Sequence, residues 1–339
     1  GSKTMPWVDL VDRFKHSFQE RPHTTVVCSL AALICIKKLY NKLTERHAKP
    51  SDPVLITGCD TGFGNLLAKN LAKDGWTVFA ACLSDAGIKD LTIENVVPFQ
   101  LDVTDKASLE KAAFFVTSKT TKLKAIVNNA GIADGFLVDL TPMETYKKVM
   151  EVNYFGMVAV TKTFWRLVGQ HGAGGRIINI ASITGRVGFS GWSAYAASKH
   201  AVEGFSDSLR RELRHFGITV CIIEPGCMKT PIWDSVFGGV KKAIAEAPKH
   251  QIDVWGSEFL DSMAEGKAVD DFVKTLLQPP EKTVRAMRHA ITSSRPKLRY
   301  LVGFDAVYLM APFAALPTAL GDIFINGMTA TGKVPVGFV

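Results

Sequence analysis

The chain has 339 residues, 47% hydrophobic and 21% charged, which suits one large α/β domain with additions and excludes global disorder. Nine Lys and Arg against four acids in residues 1–50 supply +5 of the formal charge of +8; the remainder is balanced, with no basic stripe interleaved with aromatics, so nucleic acid is excluded as an expected partner. The six cysteines form no CxxC pair and no ligand spacing, so reduced thiols and no metal are expected.

Beyond Gly1-Ser2 and a candidate start at Met5, the residues Trp7, Leu10, Val11, Phe14 and Phe18 recur every three or four positions, the pattern of an amphipathic helix. Thr24 to Ile36 is then 13 residues without a charge, bounded by Arg21 and by Lys37-Lys38. A span takes about 20 apolar residues, so length alone suits a core helix or an interfacial segment equally well. The basic linker KKLYNKLTERHAKPSD that follows favours a membrane anchor over residues 5–49. If the anchor spans, the positive-inside rule puts the rest of the chain in the cytosol.

From Pro53 onward, apolar runs alternate with helical patterns, which predicts a doubly wound, Rossmann-type parallel sheet of about seven strands with helices on both faces. The expected strands are Val54–Thr57, Thr77–Cys82, Val96–Leu101, Lys124–Asn128, Arg176–Ala181, Thr219–Ile223 and Arg299–Val302. They define a single domain over 50–325, with 326–339 a tail. Residues 227–274 break the alternation by mixing Trp233, Phe237, Trp255 and Phe259 with charges and glycines. This segment reads either as a lid over the ligand crevice or as an irregular surface insertion. Ala306 to Gly321 is uncharged but holds Pro312 and Pro317, which predicts short helices rather than a continuous span.

The first strand runs into Gly58-Cys59-Asp60-Thr61-Gly62-Phe63-Gly64 and then a helix. Glycines there permit a tight turn and let a dinucleotide backbone approach the amides at the helix start. Asp102-Val103 closes the third strand, where an acid can accept from an adenine amino group. Asn128-Asn129-Ala130-Gly131 follows the fourth, where small residues leave room for a ribose. The end of the second strand, Cys82-Leu83-Ser84-Asp85, carries no base to hold a 2′-phosphate, so NAD(H) is expected over NADP(H), with NADP(H) left possible.

Tyr195 and Lys199 lie four apart in the helical segment SAYAASKHAVEGFSDSLRREL, on one face. A neighbouring ammonium would favour the phenolate and let Tyr195 exchange a proton with an alcohol or a carbonyl. Ser182, just after the strand GRIINI, could orient the substrate oxygen or cap a turn. Ala133 to Leu137, Gly188, Phe189, Trp192, Met228 and Trp233 fall in loops at the sheet's C-terminal edge and suit a lipophilic alcohol. Arg186 is the one nearby base that could take a small anionic substrate, and it is expected to face solvent.

TGCDTGFG, Asp102-Val103, NNAG, Asn153, Ser182, Tyr195-Ala-Ala-Ser-Lys199 and Pro225-Gly226 occur in an order that resembles the short-chain dehydrogenase/reductase family. VLITGCDTGFGNLLA, EGFSDSLRRELRHFGITVCIIEPG and RYLVGFDA are similar to the branch of retinol dehydrogenases, retinoid-active hydroxysteroid dehydrogenases and D-3-hydroxybutyrate dehydrogenase. The resemblance implies a nicotinamide-dependent alcohol dehydrogenase with Asn153, Ser182, Tyr195 and Lys199 as its catalytic set. In that set Lys199 binds the nicotinamide ribose and Asn153 anchors a water that relays protons to Lys199. The cofactor would also meet Pro225, Gly226, Met228 and Thr230.

The same resemblance implies a retinoid or steroid alcohol as substrate, with a short hydroxy acid as the alternative, and a homodimer or homotetramer at a membrane surface. The endoplasmic reticulum with a cytosol-facing catalytic domain is the expected location, with a mitochondrial membrane as the alternative. A catalytically silent membrane scaffold that retains the fold is the competing reading from another class.

Overall fold

Runs of β-branched and small apolar residues form seven strands: β1 Val54–Thr57, β2 Val78–Cys82, β3 Val96–Gln100, β4 Ala125–Asn128, β5 Gly175–Ile180, β6 Ile218–Pro225 and β7 Arg299–Val302. Each boundary lies within two residues of its expected place. The computed structural model describes residues 16, 27, 28, 31, 32, 35–37, 40, 43–169, 174–264 and 275–329. All seven strands pair in parallel in the order β3-β2-β1-β4-β5-β6-β7. The order reverses between β1 and β4, which opens a crevice at the C-terminal ends of the strands.

The described helices are α1 Gly62–Lys73, α2 Asp85–Asp90, α3 Lys106–Lys119, α4 Met143–Met150, α5 Met157–Gly169, α6 Ser193–Leu213, α7 Ile232–Glu246, α8 Lys249–Trp255, α9 Ser257–Ala264, α10 Glu281–Thr292, α11 Ala311–Ala314 and α12 Thr318–Thr329. Strand residues alternate between two buried faces. Val54 and Ile56 of β1 pack with Leu67 and Leu71 of α1 and Met287 and Ile291 of α10. Leu55 packs on the opposite face with Val116 of α3, Phe164 of α5 and Leu213 of α6.

From Ile232 to Ala264 this segment is helical rather than irregular, as α7, α8 and α9 in succession; residues 265–274 lie outside the described ones. Pro312 and Pro317 have the expected effect, since a π-helical turn at Asp305–Met310, α11 and α12 replace one long helix. Among the described residues no helix is long and apolar enough to cross a membrane. The amphipathic pattern at 7–18, most of the apolar run at 24–36 and residues 330–339 fall outside the described residues.

By compactness, residues 1–47 with Ser293–Arg295 form one unit, and Ala48–Thr292 with Pro296–Val339 form the other. In the first, His47 bridges Ser293, whose hydroxyl donates to the Glu45 carboxylate. The sheet and the site below belong to the second. All six cysteines are free: Cys59, Cys82, Cys221 and Cys227 are buried, and Cys28 and Cys35 are exposed.

Candidate active site

The β1–α1 turn is built for close backbone approach. Gly58 and Gly62 take φ of 68° and 62°, in the left-handed region that glycine enters without cost. A Cβ on Gly58 would stand 2.7 Å from Ala130 Cα, and one on Gly64 would stand 2.4 Å from Gly58 O. Gly62 differs, for a Cβ there would meet nothing nearer than Thr230 Cβ at 4.0 Å. Asn129 Nδ2 donates to Thr57 O at 2.9 Å and Gly58 O at 3.0 Å, and Thr57 Oγ1 accepts from the Asn129 and Ala130 amides. Asn129 is thus a staple for the turn. No side chain caps the α1 N-terminus at Thr61, where backbone N–H groups favour an anion.

Asp60 reaches from this turn to the end of β2. Its Oδ2 accepts from Leu83 N at 2.8 Å, and its Oδ1 accepts from Ser84 N at 2.9 Å and Ser84 Oγ at 2.6 Å. A carboxylate therefore sits just past Cys82, although position 82 itself carries none.

Asn153 lies on a π-helical turn, Glu151–Gly156, between α4 and α5, a distortion that often marks functional sites. It is buried; its Oδ1 accepts from Ile132 N at 2.8 Å, and its Nδ2 donates to Ile132 O and Ser198 Oγ, each at 2.9 Å. A Cβ on Gly131 would lie 3.2 Å from Asn153 Oδ1 and 3.6 Å from Lys199 Nζ, so Gly131 leaves open the space between these two polar groups. Lys199 Nζ donates to Ile180 O at 2.9 Å and stands 5.4 Å from the Tyr195 ring centre. Ser182 Oγ accepts from Thr184 N at 3.2 Å and donates to Pro225 O at 3.5 Å; it caps a turn and lines the same cavity as Tyr195.

Burial pushes the Tyr195 phenol up to about 12, against a lowering influence from nearby Ser182. This reverses the lowering expected from Lys199. The physical reason is desolvation, which disfavours phenolate and ammonium alike: Lys199 is itself drawn down to about 8 by burial, with Glu203 opposing.

The site opens into a cavity of about 1740 Å³, larger than the roughly 1,000 Å³ at the upper end for one small ligand. Its wall includes Gly58, Asp60, Thr61, Gly62, Phe63, Leu83, Asp102, Val103, Asn129, Ala130, Gly131, Ser182, Tyr195, Lys199, Pro225, Gly226, Met228 and Thr230. Phe189, Trp192 and Trp233 also line it, together with Phe136, Phe237, Val240, Phe259, Met263 and Met310. Aromatic rings lead outward from Tyr195 to Trp192 at 5.7 Å, Trp233 at 5.6 Å from that and Phe237 at 6.1 Å further. Gly64, Cys82 and Asn153 are buried behind the wall and Gly188 is exposed; none of the four belongs to the lining.

Arg186 is exposed, as expected, yet it also donates through Nε and Nη2 to the fully buried Glu224, the second bond at 3.0 Å. Asp305, not anticipated at all, is buried; it accepts from Cys227 N at 2.6 Å and Gln278 Nε2 at 2.8 Å. A Cβ on Gly226 would stand 2.1 Å from Asp305 Oδ2, so this carboxylate fixes the loop after β6 and allows only glycine there.

The short chain dehydrogenase family model matches residues 52–240. Retinol dehydrogenase 7 of Rattus norvegicus is 39% identical over 88% of this chain and 93% of its own length. The 17-beta-hydroxysteroid dehydrogenase type 6 of Bos taurus is 38% identical over 80% of this chain and 87% of its own. Among solved structures, a short chain dehydrogenase/reductase from Burkholderia phymatum in complex with NAD superposes with a TM-score of 0.65 at 21% identity, covering 81% of this chain and 95% of that one. One from Burkholderia cenocepacia in complex with NADP gives 0.62 at 22% identity, covering 82% and 98%. With this fold, this site and these relatives, the chain belongs to the short chain dehydrogenase family and is an oxidoreductase of the alcohol dehydrogenase type.

Proposed function

We propose that the chain interconverts a lipophilic alcohol, a retinoid or hydroxysteroid, and its carbonyl with NAD(H). The observation that carries this reading is that Ser182, Tyr195 and Lys199 together line an aromatic-walled cavity with room for a dinucleotide and a bulky apolar partner. The open side of Gly62, the uncapped α1 N-terminus and the small residues Ala130 and Gly131 fit a dinucleotide. When bound, the nicotinamide supplies or accepts the hydride. Tyr195 gives a proton to the carbonyl oxygen or takes one from the alcohol, Ser182 holds that oxygen, and Lys199 holds the ribose and backs the phenol.

Arg186 is committed to Glu224, which leaves a small anionic substrate without that partner and argues against a short hydroxy acid. Asp60 at the end of β2 would repel a 2′-phosphate and so supports NAD(H). The test is NADH formation on retinol, androstanediol and 3-hydroxybutyrate with each cofactor. Turnover of either of the first two, none of the third, and at least a tenfold advantage in kcat/KM for NAD, about 1.4 kcal/mol, are expected. Asp60→Ser should erase most of that advantage. A tenfold advantage for NADP would sink the cofactor reading, and silence on all three alcohols would favour the scaffold.

Membrane attachment through residues 5–49 is part of the same proposal, and the exposed Leu316, Leu320, Ile323 and Phe324 near the C-terminus offer a second apolar contact. The full chain should float with liposomes, and a chain starting at Ser51 should be partly released. A full chain left at the bottom of the gradient would refute attachment. The reading places the catalytic domain on the cytosolic face of the endoplasmic reticulum, so resistance to protease in sealed microsomes would overturn the topology.

A further inference from the structure

The three segments that carry the proposed chemistry are joined behind the cavity by side chains with no part in that chemistry. Arg186 lies four residues after Ser182, Glu203 four residues after Lys199, and Glu224 immediately before Pro225-Gly226. Arg186 holds Glu224 through two hydrogen bonds. Arg299 of β7 donates through Nη1 to Glu203 Oε2 and, at 3.2 Å, to Glu224 Oε1, and its Nη2 stands 3.0 Å from Asp207 Oδ2.

Glu203 and Glu224 are buried, where removing an ion's partner is far more costly than at a surface. Packing reports the same junction independently, since a Cβ on Gly185 would stand 3.0 Å from both Glu203 Cγ and Lys199 O. The turn that follows Ser182 is therefore seated directly on α6 at these two residues.

We propose that Glu203 is a positioning residue: tied by Arg299 to Glu224, and through Glu224 to Arg186, it backs the Lys199 ammonium and registers α6 against the loops carrying Ser182 and Gly226. The inference rests on the role given to Lys199 above. One helical turn separates Glu203 from Lys199 on the same face, and its charge favours the ammonium that burial disfavours. Glu203 is itself pushed up by burial and then by the facing Glu224, and it is held down by Arg299. The charged groups around it are thus Lys199 and Asp207 on its own helix, Glu224 on β6, Arg186 after β5 and Arg299 on β7; Arg210 pairs with Asp207.

The test is the pH dependence of carbonyl reduction by NADH in the full chain. Reduction needs a protonated phenol and a charged lysine, so activity should first fall near pH 8, where Lys199 loses its proton, well below the phenol's value of about 12. Glu203→Gln should move this limb to lower pH by about one unit, Glu203→Asp should recover more than half of the shift, and Asp207→Asn should leave the limb in place.

A role confined to stability would lower the melting temperature and scale activity equally at every pH, and that result would overturn the proposal. Should Glu203→Gln fail to fold, Arg299→Gln reads the same limb, because Glu203 freed from its guanidinium protonates more readily and backs Lys199 less. Lys199→Arg, whose guanidinium does not titrate in this range, assigns the limb, and NADH fluorescence titrated against pH reads it without turnover. A limb that survives Lys199→Arg removes the role of Lys199 and this inference together. A limb that Lys199→Arg abolishes but Glu203→Gln leaves in place overturns the inference alone.

Discussion

Tyr195→Phe is expected to lower turnover at least a hundredfold while NADH affinity stays within about twofold of wild type. The phenylalanine ring keeps the edge contact to Trp192, whose centre lies 5.7 Å away, and the Lys199 bond to Ile180 O does not involve the phenol. Only the hydroxyl is lost, and with it the acid/base group, which typically contributes 10²–10⁴-fold. Because burial holds the phenol protonated at neutral pH, wild-type reduction should be nearly flat below pH 7, whereas alcohol oxidation, which needs the phenolate, should rise with pH. Turnover and NADH fluorescence on the same preparation check both halves. Retention of more than about a tenth of wild-type turnover would show that another group moves the proton.

Lys199→Ala should harm both quantities, with turnover down by roughly 10²–10³ and NADH bound at least about tenfold more weakly. Hydrogen bonds to charged groups contribute about 1.5–3 kcal/mol, which sets the scale of the affinity loss if the ammonium reaches the ribose. Removing the side chain also strips the Ile180 carbonyl of its donor and leaves Glu203 facing Glu224 with one fewer cation nearby. NADH titration decides the matter: unchanged affinity alongside lost turnover would confine Lys199 to the proton step.

The strands could be read closely because each is a short apolar run bounded by turn residues, and a parallel sheet buried on both faces demands that pattern. The helices over 232–264 were harder to see. Ile232, Trp233, Val236, Phe237, Val240 and Ile244 do recur at helical spacing, but Gly238-Gly239 in their midst reads as a break. Along α6, the spacing of Tyr195 and Lys199 puts both on the cavity wall.

The ionic and polar contacts of the buried Glu224 and Asp305 left no such signal. Arg186 and Glu224 are 38 residues apart and Cys227 and Asp305 are 78 apart, and a partner at that range is set by sheet order rather than by local pattern. The direction of the Tyr195 shift was also out of reach, because it depends on how deeply the phenol is buried, and spacing along a helix is silent about depth.

The distribution of cysteines has a consequence for labelling chemistry. Burial raises the thiols of Cys59, Cys82, Cys221 and Cys227, so each holds a negligible thiolate fraction at neutral pH as well as being shielded. Cys28 and Cys35 are exposed and belong to the other unit of the chain. In the chain off the membrane, an electrophile such as a maleimide dye would therefore mark the N-terminal segment and spare the catalytic fold, and protection of Cys28 and Cys35 on adding liposomes would report insertion of the proposed anchor without any substitution.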